Sequence, residues 1–459
     1  MTMADNLEQM LAEADFDIVG LLRNNQTGAK AHGATVPEIS NWRDEQWAMR
    51  HGAALLDLSQ QLVELRIEGP DALKLLTETM VNSPGTLTVN RAIHYVSATL
   101  YGHVIGDGIV HPLADEEFLY VGRAPAANWL TYQAQKFGYD AEITGVPRQH
   151  GSWRFRMVGP HAVKVIQKLG GPSPDRIERF RLSTMQVGTK TVQSMGLATI
   201  GSPGIEIWGP YEDHDYIRDT ILQAGEEFGL TPVGSRALPS ANLESGRLSG
   251  PLPAIYSGEQ IRDYRKWLDA DSYEATCSIG GSFVGDQIED YYLTPWELGY
   301  GPLVEFDHDF HGADALKESA EDKDKLRNKV TLEWYADDVK TIVGSMFEPE
   351  GEQYKFFDLP DASYATASYD RVVDADGCLV GLSLFTGYSW NEKKALSLAT
   401  VGPQVPMGAE LQVIWGEENG GTNKPTTEPH KQIGARAIVS PAPFSPVSQS
   451  AHIKGWRAS

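Results

Sequence analysis

The spacing of hydrophobic positions along this chain changes repeatedly between the period of a strand and the period of a helix. Leu62 to Ile67 alternates apolar and polar residues as a half-buried strand does, and after Gly69-Pro70 a helical period runs from Ala72 to Met80. A helical period also covers Glu45 to Leu56. Because strands and helices do not follow strict βαβ order, the pattern predicts an α+β fold and not a doubly wound parallel sheet.

The same combination of strand, Gly-Pro turn and helix occurs a second time. Trp153 to Val158 has the strand pattern, Gly159-Pro160 forms the turn, and Ala162 to Leu169 has the helical period. We interpret the two modules as an internal repeat. The residues before them have the irregular pattern of a segment that wraps a core, apart from a helix predicted from Leu7 to Ala14.

Beyond the charged run of residues 317–329, which we interpret as a solvated helix or linker, the chain is mostly strand and turn. Short strands at this spacing predict a small barrel or sandwich, followed by an extended Pro-rich tail at residues 440–446. The predicted strands are Val330 to Trp334, Val372 to Cys378, Leu379 to Thr386, Ala395 to Val401 and Glu410 to Trp415. The predicted domains are an N-terminal wrapping segment (1–45), a first module (46–150), a second module (151–320) and a C-terminal barrel domain with its tail (328–459).

The composition and charge of the chain limit the classes of partner that it can bind. The net charge of −23 works against nucleic acid, whose binding needs cations that displace counterions from phosphates. No apolar run approaches the roughly 18 residues of a membrane span, and the first residues lack a signal-peptide pattern, so we expect a cytoplasmic protein with no membrane partner. Cys277 and Cys378 have no His or Cys at ligand spacing, so we expect no disulfide framework and no metal site. The sequence leaves the oligomeric state open.

The common nucleophile and nucleotide motifs are absent from the sequence, which has no GxSxG, no P-loop and no GxGxxG opening a helix. The chemistry therefore has to come from several segments considered together. Seven short motifs, in the same order, resemble the folate-dependent aminomethyltransferase family of the glycine cleavage system. They lie at residues 102–110, 118–121, 203–207, 243–246, 294–300, 309–316 and 386–399, and both Gly-Pro turns match as well.

Within that family, further blocks resemble the tetrahydrofolate-dependent aryl O-demethylases of lignin breakdown. Aminomethyltransferases do not share the block Gly122-Arg123-Ala124-Pro125-Ala126-Ala127. The resemblance implies a three-domain folate-binding fold with a C-terminal β-barrel. These blocks lie at residues 41–43, 101–108, 121–130, 251–256 and 415–422.

The resemblance also implies a reaction. Tetrahydrofolate would be the methyl acceptor, its N5 displacing the phenolate of a methoxylated aromatic acid in line, with syringate going to 3-O-methylgallate. Vanillate, 3-O-methylgallate or an amine donor are the alternatives. A non-catalytic folate-binding protein ranks below them, because the Lys-Gly-Cys-Tyr signature of such relatives is replaced here by Asp309-Phe310-His311-Gly312.

Three residues receive the main roles from the resemblance. Glu206 would anchor the pterin edge of the folate, since a carboxylate can accept two hydrogen bonds there. Arg123 would stabilise the phenolate as it forms. Asp107 matches the family's active-site aspartate, near the transferred carbon. Without the resemblance, these residues would be an outward strand carboxylate, a surface cation and a turn aspartate.

Leu238 and Arg247 mark a departure from the family pattern. Vanillate-demethylating members carry Tyr, the implicated proton donor, where this chain has Leu238, which cannot donate a proton. We therefore expect room for a second ortho methoxy group and a different donor: His32, Tyr256 or a water bound to Arg123. The remaining assignments are Lys30 and His32 for the ring carboxylate, Gln60 and Gln61 for the methyl donor, Leu238 and Tyr256 for the aryl pocket, and Val121, Arg156, Phe180 and Arg247 for the folate channel.

Overall fold

The computed structural model describes residues 4–28, 35–146, 151–248, 250–322, 325–421 and 424–454. Its α-helices are α1 (Leu7–Glu13), α2 (Ile18–Asn24), α3 (Trp42–His51), α4 (Ala72–Thr79), α5 (Ala124–Phe137), α6 (Ala162–Lys168), α7 (His214–Gly225), α8 (Ala241–Ser245), α9 (Arg262–Trp267), α10 (Ala313–Glu321), α11 (Ala336–Gly344) and α12 (Pro446–Lys454). Its strands are β1 (Ala53–Asp57), β2 (Val63–Glu68), β3 (Ile93–Ala98), β4 (Val104–Ala114), β5 (Glu117–Gly122), β6 (Glu142–Val146), β7 (Ser152–Val158), β8 (Leu182–Val187), β9 (Lys190–Thr199), β10 (Ser202–Pro210), β11 (Leu230–Val233), β12 (Ile279–Gly280), β13 (Asn328–Trp334), β14 (Ala367–Ser368), β15 (Asp370–Val373), β16 (Leu379–Ser389), β17 (Lys394–Val401), β18 (Glu410–Trp415) and β19 (Ile433–Ser440).

Two sheets, one antiparallel and one mixed, contain the strands of the first half of the described chain. One contains five strands in the order β3-β4-β5-β2-β6, and the other contains six in the order β11-β1-β7-β10-β9-β8. Strand β1 precedes the first sheet in sequence but pairs with β7 and β11 of the second. The first predicted module therefore contributes a strand to the sheet of the second.

The helix predicted from Glu45 to Leu56 is wrong in its second half. Helix α3 ends at His51, and after Gly52 the chain enters β1, whose first four residues are fully buried. A strand buried on both faces is a continuous apolar run, which hydrophobic period alone does not distinguish from a buried helix.

The repeated strand, Gly-Pro turn and helix are confirmed. Strand β2 leads to α4 and β7 leads to α6 through the predicted turns. Both turn glycines have positive φ, 131° at Gly69 and 103° at Gly159. A Cβ on either would lie 2.5 Å from a backbone carbonyl oxygen, that of Asp140 or Gly52. Glycine is thus required at both turns for the same steric reason.

The C-terminal barrel is also confirmed, with corrections at its edges. Six strands close it in the order β13-β17-β16-β15-β18-β19. Strand β15 ends at Val373, because Asp374 Oδ1 accepts the backbone N–H groups of Asp376 and Cys378 in a turn. Strand β19 was not predicted, and the helix α12, which follows the predicted extended stretch 440–446 from Pro446 onward, was not predicted either.

The N-terminal segment packs against the rest of the molecule. Leu7, Leu11 and Leu22 are buried in a core cluster that spans several elements, and α2 is a helix the hydrophobic pattern did not predict. Arg23 donates hydrogen bonds to the carbonyls of Gly281 and Phe283. Among the described residues, no helix is both long enough and apolar enough to span a bilayer.

Candidate active site

A cavity of about 690 Å³ lies where the two sheets meet residues 358–369 of the C-terminal domain. This volume is in the range of sites that take drug-sized ligands. The predicted residues Asp107, Val121 and Arg156 line it from the sheets, and Arg123 lines it from the N-terminus of α5. Gln61, Leu238 and Arg247 line it from the connecting segments.

Asp107 is the carboxylate of this cavity with the most partners. It lies on β4 and is 4% exposed. Its Oδ2 lies 2.7 Å from Nε2 of His94 and accepts hydrogen bonds from the hydroxyl of Tyr300 at 3.1 Å and from Nη2 of Arg247 at 3.4 Å. Burial alone would raise the pKa of Asp107, but the hydrogen bond with His94 and the charges of Arg247 and Arg123 hold it well below its usual value. The carboxylate is ionised over the whole physiological range.

Arg123 occupies the N-cap position of α5. Its Nη2 donates a hydrogen bond to the hydroxyl of Tyr273 at 3.1 Å, and its Nη1 lies where a Cβ on Gly250 would be 1.9 Å away. Burial works to lower the pKa of Arg123, but the nearby Tyr273 and Asp107 raise it. The glycine leaves space for a fixed, charged guanidinium at the cavity wall, which suits it to stabilise an anion.

Glu206 has a different environment from the one expected of a ligand anchor. Its Oε1 accepts from Nη1 of Arg154 at 2.6 Å, and its Oε2 accepts from Nε and Nη2 of Arg156 at 2.9 and 2.6 Å. Arg154 also binds Glu64 of β2, so the ion network joins the two sheets. Burial would raise the pKa of Glu206, but the two arginines lower it to about 2. Glu206 is 1% exposed, and the described cavity wall does not include it.

The other predicted residues fall into three groups. Gln61 donates from Nε2 to the Asp57 carbonyl and to Thr35, which fixes its amide at the cavity. Gln60, Phe180 and Tyr256 are not part of the described cavity wall. Tyr256 is a core residue, 1% exposed, whose hydroxyl donates to the Glu274 carbonyl at 2.8 Å, so it is not placed to donate a proton in the cavity. Lys30 and His32 lie outside the described residues.

Sequence reasoning missed several site residues. His94 and Tyr300 contact Asp107, and Tyr273 contacts Arg123, although each is distant in sequence from its partner. Asp361 of the C-terminal domain also lines the cavity, and burial raises its pKa to about 6. The only signal for Tyr300 was its place at the end of the 294–300 motif.

Comparison with known proteins shows the family of this chain. The GCVT N-terminal domain model matches residues 31–250. A syringate O-demethylase from Sphingobium sp. is 39% identical over 466 residues, which cover 99% of this chain and 99% of that protein. The chain belongs to the GCVT family. Its resemblance to the tetrahydrofolate-dependent aryl O-demethylases is confirmed, and it is an enzyme of the methyltransferase class.

Two further proteins are similar to this chain over most of its length. A sesamin methylene transferase from Sinomonas sp. is 28% identical over 393 residues, 82% of each chain. The crystal structure of the glycine cleavage system aminomethyltransferase T from Bartonella henselae is similar with a TM-score of 0.61, over 92% of this chain and 94% of that chain, at 18% identity. The predicted aminomethyltransferase-like fold is confirmed.

The cavity of this family member fits tetrahydrofolate, its methyl acceptor. Its volume is sufficient, and Arg156, Arg236 and Arg247 line it as cations that can bind the carboxylates of a folate tail. Asp107 supplies an ionised acceptor for an N–H group. When bound, tetrahydrofolate supplies N5, the nitrogen that takes the methyl group.

Proposed function

We propose that this enzyme demethylates a methoxylated benzoate, most specifically syringate to 3-O-methylgallate, and forms 5-methyltetrahydrofolate. The observation that carries the proposal is the 39% identity over 99% of the chain to a syringate O-demethylase. The cavity supports it, because Arg123 and Leu238 line the same space. One provides a charge for a phenolate and the other an apolar surface for a methoxy group.

The reaction balances without an oxidant or reductant. The bond between the methyl carbon and the aryl oxygen breaks, its electron pair stays on oxygen, and a carbon–nitrogen bond forms. Arg123 lowers the barrier by stabilising the negative oxygen, in the way that fixed donors stabilise developing charge. Holding the reacting groups in line contributes roughly 7–11 kcal/mol in favourable cases.

The direct test is incubation of the purified protein with syringate and tetrahydrofolate under anaerobic conditions. We expect equal amounts of 5-methyltetrahydrofolate and 3-O-methylgallate, measured by chromatography with mass detection. Absence of both products, in protein that binds tetrahydrofolate, would reject the proposal for syringate.

A donor panel separates the alternatives. Vanillate, 3-O-methylgallate, sesamin and dimethylglycine are each supplied with tetrahydrofolate, and the kcat/KM values are compared. Syringate should give the highest value, because the Leu238 side chain is smaller and less polar than the Tyr of vanillate-demethylating members. A higher value for dimethylglycine would make the enzyme an amine demethylase. The cytoplasmic location stays a prediction.

A further inference from the structure

In the described part of the chain, the hydrogen bonds to the Asp107 carboxylate all fall on one of its two oxygens. His94, Tyr300 and Arg247 all contact Oδ2, at 2.7, 3.1 and 3.4 Å. Within the described parts of the chain, Oδ1 makes no hydrogen bond, although Asp107 lines the cavity. A carboxylate oxygen has lone pairs to offer, so Oδ1 is the atom left to accept from a ligand.

Two rigid elements bring the partners to Oδ2. His94 is on β3, which pairs with β4 so that Val96 faces Asp107 across the ladder. Tyr300 follows Gly299, whose φ is 75°, and its N–H donates to the Pro295 carbonyl at 2.7 Å. The rings of His94 and Tyr300 meet edge to face, with centroids 4.9 Å apart. Each side chain therefore restricts the orientation of the other.

We propose that His94 and Tyr300 are positioning residues for methyl transfer: together they occupy Oδ2 of Asp107 and leave Oδ1 to accept the proton shed by the amine that receives the methyl group. The proposal rests on the proposed function, because only a reaction that methylates an N–H amine releases such a proton. The proton moves from nitrogen to Oδ1 while the nitrogen keeps its new bond to carbon.

The other charges around Asp107 do not replace these two donors. Arg247 contacts Oδ2 at the longest of the three distances, and its side chain is 49% exposed, so water weakens its effect. Arg123 acts on Asp107 through its charge and donates its hydrogen bond to Tyr273 instead. Tyr120 donates to the backbone carbonyl of Asp107 and not to its carboxylate.

The experiment compares His94→Leu, Tyr300→Phe and the double variant with His94→Gln, which retains an N–H donor. Tyr101→Phe, a change at a tyrosine that is 46% exposed, is the control for loss of a hydroxyl elsewhere. Two readouts are used: the ionisation of Asp107, from ¹³C-carboxyl NMR assigned with Asp107→Asn, and the pH dependence of kcat on the best methoxybenzoate.

In wild type and Tyr101→Phe, the Asp107 carboxyl should stay ionised down to the lowest pH at which the protein is folded. In the double variant the carboxyl loses its hydrogen bond with His94 while Arg247 and Arg123 remain, so its pKa rises and the acid limb of the kcat profile moves to higher pH. We expect kcat to fall about 10- to 100-fold, the range for losing hydrogen bonds to a charged group, with partial recovery in His94→Gln. The KM for the aryl donor should change little.

An unchanged carboxyl titration in the double variant would overturn the proposal, as would a loss of kcat with no shift of the acid limb. The NMR readout needs no turnover, so it remains decisive if syringate proves to be the wrong donor. Failure of every donor would reject the proposed function, whereas a normal titration in an active double variant would reject only the roles of His94 and Tyr300.

Discussion

Two carboxylates on neighbouring sheets show how similar strand positions acquire different uses. Asp107 on β4 and Glu206 on β10 are both almost fully buried, and both have a lowered pKa. Glu206 has both oxygens bound by Arg154 and Arg156. Among the residues that the structure describes, the partners of the Asp107 carboxylate all bind Oδ2, and Asp107 lines the cavity. Both oxygens of Glu206 are therefore occupied by protein donors, whereas Oδ1 of Asp107 can accept a hydrogen bond from a ligand.

This difference separates structural from chemical use of a buried charge. A carboxylate whose lone pairs are saturated by protein arginines stabilises the contact between the sheets, since Arg154 also binds Glu64. A carboxylate with a free oxygen can respond to a ligand. The resemblance to the family assigned both to the site, and the partners of each oxygen distinguish them.

The largest expected effect follows from Glu206→Gln. The substitution leaves Arg154 and Arg156 without their shared anion, and breaking such a buried pair costs about 3–5 kcal/mol of unfolding free energy. Urea unfolding followed by tryptophan fluorescence measures it. If stability were unchanged while tetrahydrofolate binding was lost, Glu206 would be the pterin anchor. The contrast between a structural Glu206 and a chemical Asp107 would then be wrong.

Arg123→Ala should lower kcat by about 10²–10³-fold, the range seen when a fixed donor to a developing anion is removed. Arg123→Lys is the matched variant, which keeps the charge but loses the planar fork, so it should recover only part of the rate. Tetrahydrofolate binding, measured by calorimetry, should stay near the wild-type value in both. Loss of tetrahydrofolate binding in Arg123→Ala would show that Arg123 binds the cofactor instead.

Lowering the pH should weaken the contact between the two sheets over a defined pH range. Because the pKa of folded Glu206 is about 2 against an ordinary 4.5, its contribution of about 3 kcal/mol is complete above pH 4.5 and is lost as the pH falls toward 2. Urea midpoints from pH 7 to pH 3 measure this loss. Glu206→Gln should have a shallower pH dependence, and equal slopes would show that other groups cause it.

Leu238→Tyr should have the smallest effect of these changes. The larger, polar side chain narrows the cavity wall, so the kcat/KM ratio of syringate to vanillate should fall by about 10-fold, as for one small group in an apolar pocket. Leu238→Met is the volume-matched control and should leave the ratio near wild type. A ratio that did not respond to Tyr would place the second methoxy group elsewhere.

Much of the fold was predictable where short-range physics decides it. The strand, Gly-Pro turn and helix of each module follow from local period and from glycines that need positive φ. The fully buried strand β1 was not predictable, because its apolar run looks the same in a helix. Its pairing with β7 and β11 is a long-range choice that no local pattern encodes.

The sequence by itself determined the family, the kind of reaction and several residues that line the cavity, Asp107 and Arg123 among them, because contiguous motifs carry that information. Tertiary structure alone decided which oxygen of Asp107 is open, which carboxylate is closed, and that His94 and Tyr300 serve the site. These are properties of contacts between residues more than ten and more than a hundred positions apart in the sequence. Hydrogen bonds depend on distance and direction in space, and the packing of the sheets and the C-terminal domain sets both.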